Sequence, residues 1–412
     1  MSEQQPAGER PTAAPSPQQP ESPYPRTFVA RLSARYRVGG VVTPIFTTIV
    51  AFLAGGIVVG ATGHNPLSTY RAIFNGTGLN WFFPWVLGGD RATAATNLQQ
   101  TLILTTTLIL TGLAVAFAFR CGLFNIGGQG QYFVGSYVAI FVGSSWAGLA
   151  GPAHIFLAVT FAALAGAAYG GIAGFLKATT GAHEVISTIM LNWIAIWVGN
   201  YFFGLAGPFQ GPDQFNPISS TVADSAKLPV FWGDPQLQGL HVGIFIALGM
   251  LVVFWIVLNR TTLGYEVKAV GFNPDAAEYG GISVKKNYFL AMAISGGFAG
   301  LAGAMDILGW EFNISTPQIL FSNIGFIGIA VALLGRNTAI GTLFGALLFG
   351  ALYVGTSTRQ LDASVFDPQL ASNLTLIIQG LVVLFVGADL LIIGFWEKIQ
   401  KGAKAVARKA PA

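Results

Sequence analysis

The sequence predicts an all-α polytopic membrane protein of about ten transmembrane helices, arranged in two halves of inverted topology with some helices broken. Three observations carry this reading. Of the 412 residues, 53% are hydrophobic and only 9% charged, where a soluble domain has about 25% charged residues. Apolar runs recur along the chain at close to the ~20 residues that cross a bilayer. Residues 122–131, GLFNIGGQGQ, place four glycines, an asparagine and two glutamines inside one of those runs.

Taken in order, residues 1–27 hold seven of the 20 prolines together with Ser, Gln, Glu and Ala. Such a stretch buries too little apolar surface to offset its ordering entropy, so it reads as a disordered tail. It also lacks the apolar core of a secretory signal peptide. A transmembrane domain follows over 28–395, with apolar runs at 42–62, 99–119, 122–143, 152–176, 185–206, 240–258, 287–309, 319–335, 338–356 and 371–394. Residues 396–412 form a basic tail.

Lys and Arg set the orientation, because cytoplasmic loops are enriched in them. With the N-terminus inside, 17 of the 21 basic residues fall on the inner side, including Arg120, Lys177, Arg336 and the 260–286 loop. Arg71, Arg91, Lys227 and Arg359 fall outside. Both termini are therefore expected in the cytoplasm, and the net charge of +4 reflects this skirt, which faces membrane lipid and calls for no nucleic-acid partner.

The inverted halves rest on a repeated motif. Asn125-Ile126-Gly127-Gly128-Gln129-Gly130 and Asn323-Ile324-Gly325-Phe326-Ile327-Gly328 both fit N-I-G-x-x-G, the first in an outward run and the second in an inward one. Paired breaks of opposite direction mark the repeat interface of many transporters. A loosened, amide-bearing backbone persists in hydrocarbon only where it faces protein or a water-filled path. The chain is thus expected to move something polar across a membrane.

Other chemistries lack their signatures. The histidines, His64, His154, His183 and His241, show no metal-ligand spacing, and the single Cys121 excludes an intrachain disulfide. No G-x-x-x-x-G-K-[ST] loop or G-x-S-x-G elbow occurs, so ATP, where it drives transport, is bound by another polypeptide. Ion coupling would need acids within the spans; Asp306 and Asp389 are the candidates, against a structural or interfacial role. In the 261–287 loop, Asn273 suits an N-cap, Pro274 the first helical position, Asp275 the first turn and Gly280 or Gly281 the stop. Two such turns need packing or a docking partner to be stable.

The stretches FRCGLFNIGGQGQ (119–131), GAHEVISTIMLNWIA (181–195) and TTLGYEVKAVGFNPDAAEYGGI (261–282) resemble the membrane permease subunits of bacterial ABC importers for simple sugars and nucleosides. That group includes ribose and branched-chain amino-acid permeases, and EVISTIMLNWIA looks most like the nucleoside-uptake branch. The resemblance runs from about 40 to 395. It implies a multi-pass protein of the bacterial cell membrane that works with a second, different and shorter permease, ABC ATPase subunits carrying ATP and Mg, and an extracytoplasmic substrate-binding lipoprotein. It implies no cofactor on this chain and no catalysis by it. The N-P-x-A-A-x-Y-x-G-I pattern matches the family's cytoplasmic coupling element, which implies that Asn273, Pro274, Asp275, Ala276, Ala277, Glu278, Tyr279 and Gly280 meet an ATPase. Relatives often carry an acid where this chain reads Gly128-Gln129-Gly130-Gln131, which bears on the solute rather than on the fold.

On this reading Asn125, Gln129, Gln131, Asn192 and Asn323 line the solute path, their amides both donating and accepting. Asn192 suits an interhelical hydrogen bond equally well. Nucleosides are the expected solute, with a ribose- or galactose-type sugar as the alternative and an ion-coupled secondary transporter as a further one.

Overall fold

The structure is a computed structural model that describes residues 42–356 except 84, 86–89, 147 and 236–238, together with 373, 376–378, 380, 381 and 384. Both expected tails, Asp389 and most of the 371–394 run lie outside the described residues.

Thirteen α-helices are described. In chain order they are α1 (Val42–Ala61), α2 (Pro66–Gly76), α3 (Arg91–Arg120), α4 (Gly128–Ser145), α5 (Gly151–Thr180), α6 (Glu184–Phe203) and α7 (Gly243–Arg260). Next come α8 (Thr262–Phe272), α9 (Pro274–Tyr279), α10 (Val284–Asp306), α11 (Thr316–Phe321), α12 (Ile324–Leu334) and α13 (Ala339–Gly355). A short antiparallel pair, β1 (Val230–Trp232) and β2 (Leu240–His241), lies between α6 and α7. Among the described residues six helical segments are long and apolar enough to cross a membrane: Arg91–Arg120, Gly151–Thr180, Glu184–Phe203, Gly243–Arg260, Val284–Glu311 and Thr316–Leu334. The protein is a polytopic all-α membrane protein.

The helices are interrupted at both N-I-G segments, as the motif led one to expect, and one element is additional to the sequence reading. The run at 122–143 becomes helical only at Gly128, because Gly122 at φ +74° reverses the chain after α3. The run at 319–335 is two helices, α11 and α12, separated at Ser322 and Asn323. The 259–286 loop carries α8 as well as the short α9, with the Thr261 hydroxyl capping α8 through the Gly264 N–H at 3.2 Å.

The centre of the bundle is α3, buried along nearly its whole length. Several of its threonines fit an apolar interior because their hydroxyls bond back to the preceding turn, Thr105 to the Thr101 carbonyl at 2.6 Å and Thr106 to that of Leu102 at 2.8 Å. At its start Asp90 accepts from the Ala92 and Thr93 N–H groups; these bonds, with the Thr93 hydroxyl foremost, hold its carboxyl below the usual carboxylate range. Helices α5 and α10 cross backbone to backbone. A Cβ on Gly166 would lie 2.4 Å from the Gly296 carbonyl oxygen, and one on Gly300 2.4 Å from that of Ala162. Small residues four apart let the two backbones touch, which is how membrane helices gain packing energy without help from water.

The segment between α6 and α7 lies over one end of the bundle. The Ala223 N–H donates to the Gly143 carbonyl at 2.9 Å and the Leu228 N–H to that of Leu308 at 2.8 Å. Buried His154 adds side-chain ties to Ser225 Oγ at 2.8 Å and the Val142 carbonyl at 2.9 Å. At the other end the Arg120 Nε donates to the Asn337 carbonyl at 2.9 Å, joining the close of α3 to the α12–α13 turn.

Candidate functional site

After the reversal at Gly122 the chain runs back beside α3, and Asn125 is enclosed completely. Its Nδ2 donates to Gln131 Oε1 at 2.8 Å and to Ser295 Oγ at 2.7 Å, while Gln131 Nε2 returns a bond to Asn125 Oδ1 at 3.1 Å. Ser295, on α10, donates in turn to the Ala114 carbonyl of α3 at 2.5 Å. Two amides facing each other in this way satisfy themselves, and the pair pins the turn between α3 and α10.

Gln129 makes the second link. Its Nε2 donates to the Ser322 carbonyl at 2.8 Å and its Oε1 accepts from the Gly325 N–H at 2.7 Å. The two N-I-G segments therefore meet directly, with Gln129 of the first bridging the break before the second. Gly325 permits the approach, since a Cβ there would lie 2.4 Å from the Gln129 Cα. Asn192 performs the same service for α6: Oδ1 accepts from the Gly130 N–H at 2.8 Å, and Nδ2 donates to the Ile126 carbonyl at 3.0 Å.

The five path candidates thus divide by environment. Asn125, Gln129, Gln131 and Asn192 are buried and hydrogen-bonded to protein, so in this conformation their amides are closed to solute. Asn323 is exposed, stands at the N-terminus of α12 and caps none of its backbone donors. Sequence reasoning missed Ser295, Ser322 and the Gly325 N–H, which complete the network. A serine or a backbone group carries no signal of this kind until its neighbour across space is known.

Asp306 is buried near the end of α10 and not at an interface. It accepts from the Tyr132 hydroxyl at 2.6 Å, from Trp310 Nε1 at 3.2 Å and from the Thr107 hydroxyl. A single π turn, Ile307–Glu311, follows it. Three donors from α3, α4 and the π turn converge on one carboxylate, so it ties those elements together.

Alongside, α6 presents Trp193, Trp197 and Tyr201 at helical spacing, all more than half exposed. A cleft of about 390 Å³ opens at its end, lined by Asn200, Tyr201, Pro217 and Thr316. Helix α11 joins Thr316 to the break at Asn323, about 10 Å along its axis.

The 273–280 element is helical as read. The Asn273 side chain accepts from the Ala276 N–H at 3.1 Å, Pro274 opens α9, and Gly280 ends it. Asn273, Pro274, Asp275, Ala276, Glu278, Tyr279 and Gly280 are exposed, whereas Ala277 is buried against the bundle. Ala277 therefore seats the helix and does not present a surface. Phe272 and Tyr279, 95% and 97% exposed, flank it as two aromatic knobs. Helix α8 is held to α10 by Asn287, whose Nδ2 donates to Glu266 Oε2 at 3.1 Å.

Helix breaks that gather at one place in a bundle of apolar helices are a recurrent feature of membrane transport components. The chain belongs to the family described as branched-chain amino acid transport system / permease component, whose profile matches residues 97–387. It is 38% identical over 367 residues to the guanosine ABC transporter permease protein NupP of Bacillus subtilis (strain 168), covering 89% of this chain and 98% of that one. It is 34% identical to the nucleoside ABC transporter permease protein NupB of Lactococcus lactis subsp. cremoris over 89% of this chain and 94% of that one. The glucose ABC transporter permease protein TsgB13 of Haloferax volcanii is 31% identical over 84% and 86%. A second Bacillus subtilis guanosine ABC transporter permease protein, NupQ, is also similar, 28% identical over 61% of this chain and 78% of that one. No solved structure matches.

Proposed function

We propose that this chain is the membrane-spanning permease subunit of an ATP-binding-cassette importer that moves nucleosides inward by alternating access. The observation that carries the reading is the direct contact of the two N-I-G segments at paired helix breaks, beside the open Asn323. Broken helices that meet at one place supply polar groups at membrane depth and a joint about which two halves rock. Ten spans in two inverted halves, with both termini cytoplasmic, fit this mechanism and the distribution of Lys and Arg.

The solute path is proposed to run from the cleft at Asn200 and Thr316 along α11 to Asn323, between this chain and a second, shorter permease covering the Trp193–Trp197–Tyr201 face. The names of NupP and NupQ, two permeases of one bacterium, support a partner of the same family. Asn125, Gln129, Gln131 and Asn192 form the wall behind that path and reach solute only where the seam opens in another state. Nucleosides are favoured by the names of NupP and NupB, and their flat bases suit the aromatic face of α6. TsgB13 favours a second reading, a simple sugar.

ATP and Mg are assigned to partner ATPase subunits, which grip the α9 surface through Phe272, Asp275, Ala276, Glu278 and Tyr279. An extracytoplasmic substrate-binding lipoprotein delivers solute to the opposite face. Closing of the ATPases on ATP then moves α9, and α8 with it, against α10 through Asn287 and Glu266.

The test is uptake into proteoliposomes holding this chain, the second permease, the ATPases and the binding protein. Labelled guanosine should enter only with ATP and regardless of uncoupler. Entry of ribose or glucose but not guanosine moves the assignment to sugars. Uptake that ignores ATP and collapses with uncoupler makes the protein a secondary transporter and ends the ABC reading.

A further inference from the structure

Helices α1, α7 and α13 enclose a groove of about 970 Å³ that the transport reading does not use. Its walls are apolar, formed among others by Ile45 and Ile49 of α1, Trp255 of α7, and Phe344 and Leu348 of α13. At one end the lining becomes basic, where Arg120, Lys268 and Arg336 gather around the 335–338 turn. None of the described residues lining the groove is acidic. Arg336 and Asn337 are both held at positive φ, +51° and +52°.

We propose that this groove holds an anionic phospholipid, its acyl chains along α1 and α13 and its phosphate beside Lys268 and Arg336. The chemistry points to lipid because one end suits hydrocarbon and the other an anion, which is the profile of a membrane lipid and not of a polar solute. Arg120 positions the site, since its guanidinium is committed to the Asn337 carbonyl and so fixes the turn that carries Arg336. The chain's own tails fit the groove poorly. Residues 1–41 carry five arginines against three glutamates, and 396–412 carry five basic residues against one glutamate, so both would bring positive charge to a positive mouth. Lys268 lies on α8, next to the coupling helix α9, so a bound lipid would brace the segment through which the ATPases act. The pocket itself stands apart from the solute assignment.

The test is native mass spectrometry of the full chain released from nanodiscs containing equal phosphatidylglycerol and phosphatidylcholine of matched acyl chains. Wild-type protein should retain one phosphatidylglycerol about tenfold in preference to phosphatidylcholine. The Lys268→Gln/Arg336→Gln double variant should lose that preference while keeping its thermal midpoint. Ile340→Trp, which fills the groove from an exposed position, should lose both lipids. Equal retention of the two lipids by wild type overturns the proposal, as does an unchanged preference in the double variant. A wild-type groove that carries no lipid and cross-links instead to a second copy or to the chain's own tail overturns it as well.

Discussion

A leucine at Asn192 would strand the Gly130 N–H and the Ile126 carbonyl inside the bundle, because the amide that satisfies both would be gone. The cost is about 1–3 kcal/mol of stability, since a buried polar group left without a partner loses its hydration and gains nothing. Asn192→Leu should therefore lower the thermal midpoint and folded yield in detergent. Asn323→Leu removes an exposed amide of similar volume and should leave both unchanged. Its effect should appear in transport, a fall of roughly five- to 150-fold for a lost hydrogen bond of ~1–3 kcal/mol to solute. Guanosine uptake and melting measured on the two variants side by side separate wall from path; a stability loss confined to Asn323→Leu would reverse the assignment. Asp306 belongs with the wall residues. Asp306→Leu abandons the donors of Thr107, Tyr132 and Trp310 together and should destabilise by about 3 kcal/mol or more, while Asp306→Asn, which still accepts, should cost less in the same melting experiment.

Helix α9 turns a residue difference into a difference of faces. Ala277 is enclosed and Tyr279 is 97% exposed, so a charge at each tests a different property. Ala277→Glu buries a carboxylate without a partner and should unseat α9, with reduced yield. Tyr279→Asp should leave the bundle's melting unchanged and weaken ATPase association, read by co-purification of the partner subunits and by solute-stimulated ATP hydrolysis. Full association of Tyr279→Asp with its ATPases would remove α9 from the coupling role. The α5–α10 crossing offers a second test at this scale. Gly300 meets the Ala162 carbonyl and the Gly166 backbone, so Gly300→Leu must push the helices apart. A loss of about 1–3 kcal/mol or more follows from overpacking a closed interface, seen as a lower midpoint. Leucine at Gly249, where nothing lies within 4 Å of an added Cβ, should leave the midpoint in place.

Over the whole molecule, the expectation open to direct measurement is topology. With Cys121→Ser as background, single cysteines at Lys227 and Lys268 should react with an impermeant thiol reagent from opposite sides of the membrane. Cys121 itself is buried, so the background substitution removes a group that such a reagent scarcely meets. Labelling of both positions from the same side would exclude the arrangement of two inverted halves and the path drawn through it.

Membrane class, the position of most spans and the capped helix at Asn273–Gly280 were legible in the chain itself, because apolar run length, charge bias and capping chemistry act over neighbouring residues. The two N-I-G segments were legible as breaks, whereas the positive φ at Gly122, the point of division at Ser322 and Asn323 and the presence of α8 were not, since each depends on what packs against it. Asn125, Gln129, Gln131, Asn192 and Asn323 are five similar amides as letters. Only the folded bundle separates them: Gln131 and Ser295 close on Asn125, Ser322 and Gly325 close on Gln129, Gly130 and Ile126 close on Asn192, and Asn323 is left open. A polar group's role in a membrane protein depends on whether its hydrogen bonds end on protein or remain for solute, and those partners lie up to 196 residues away in the chain.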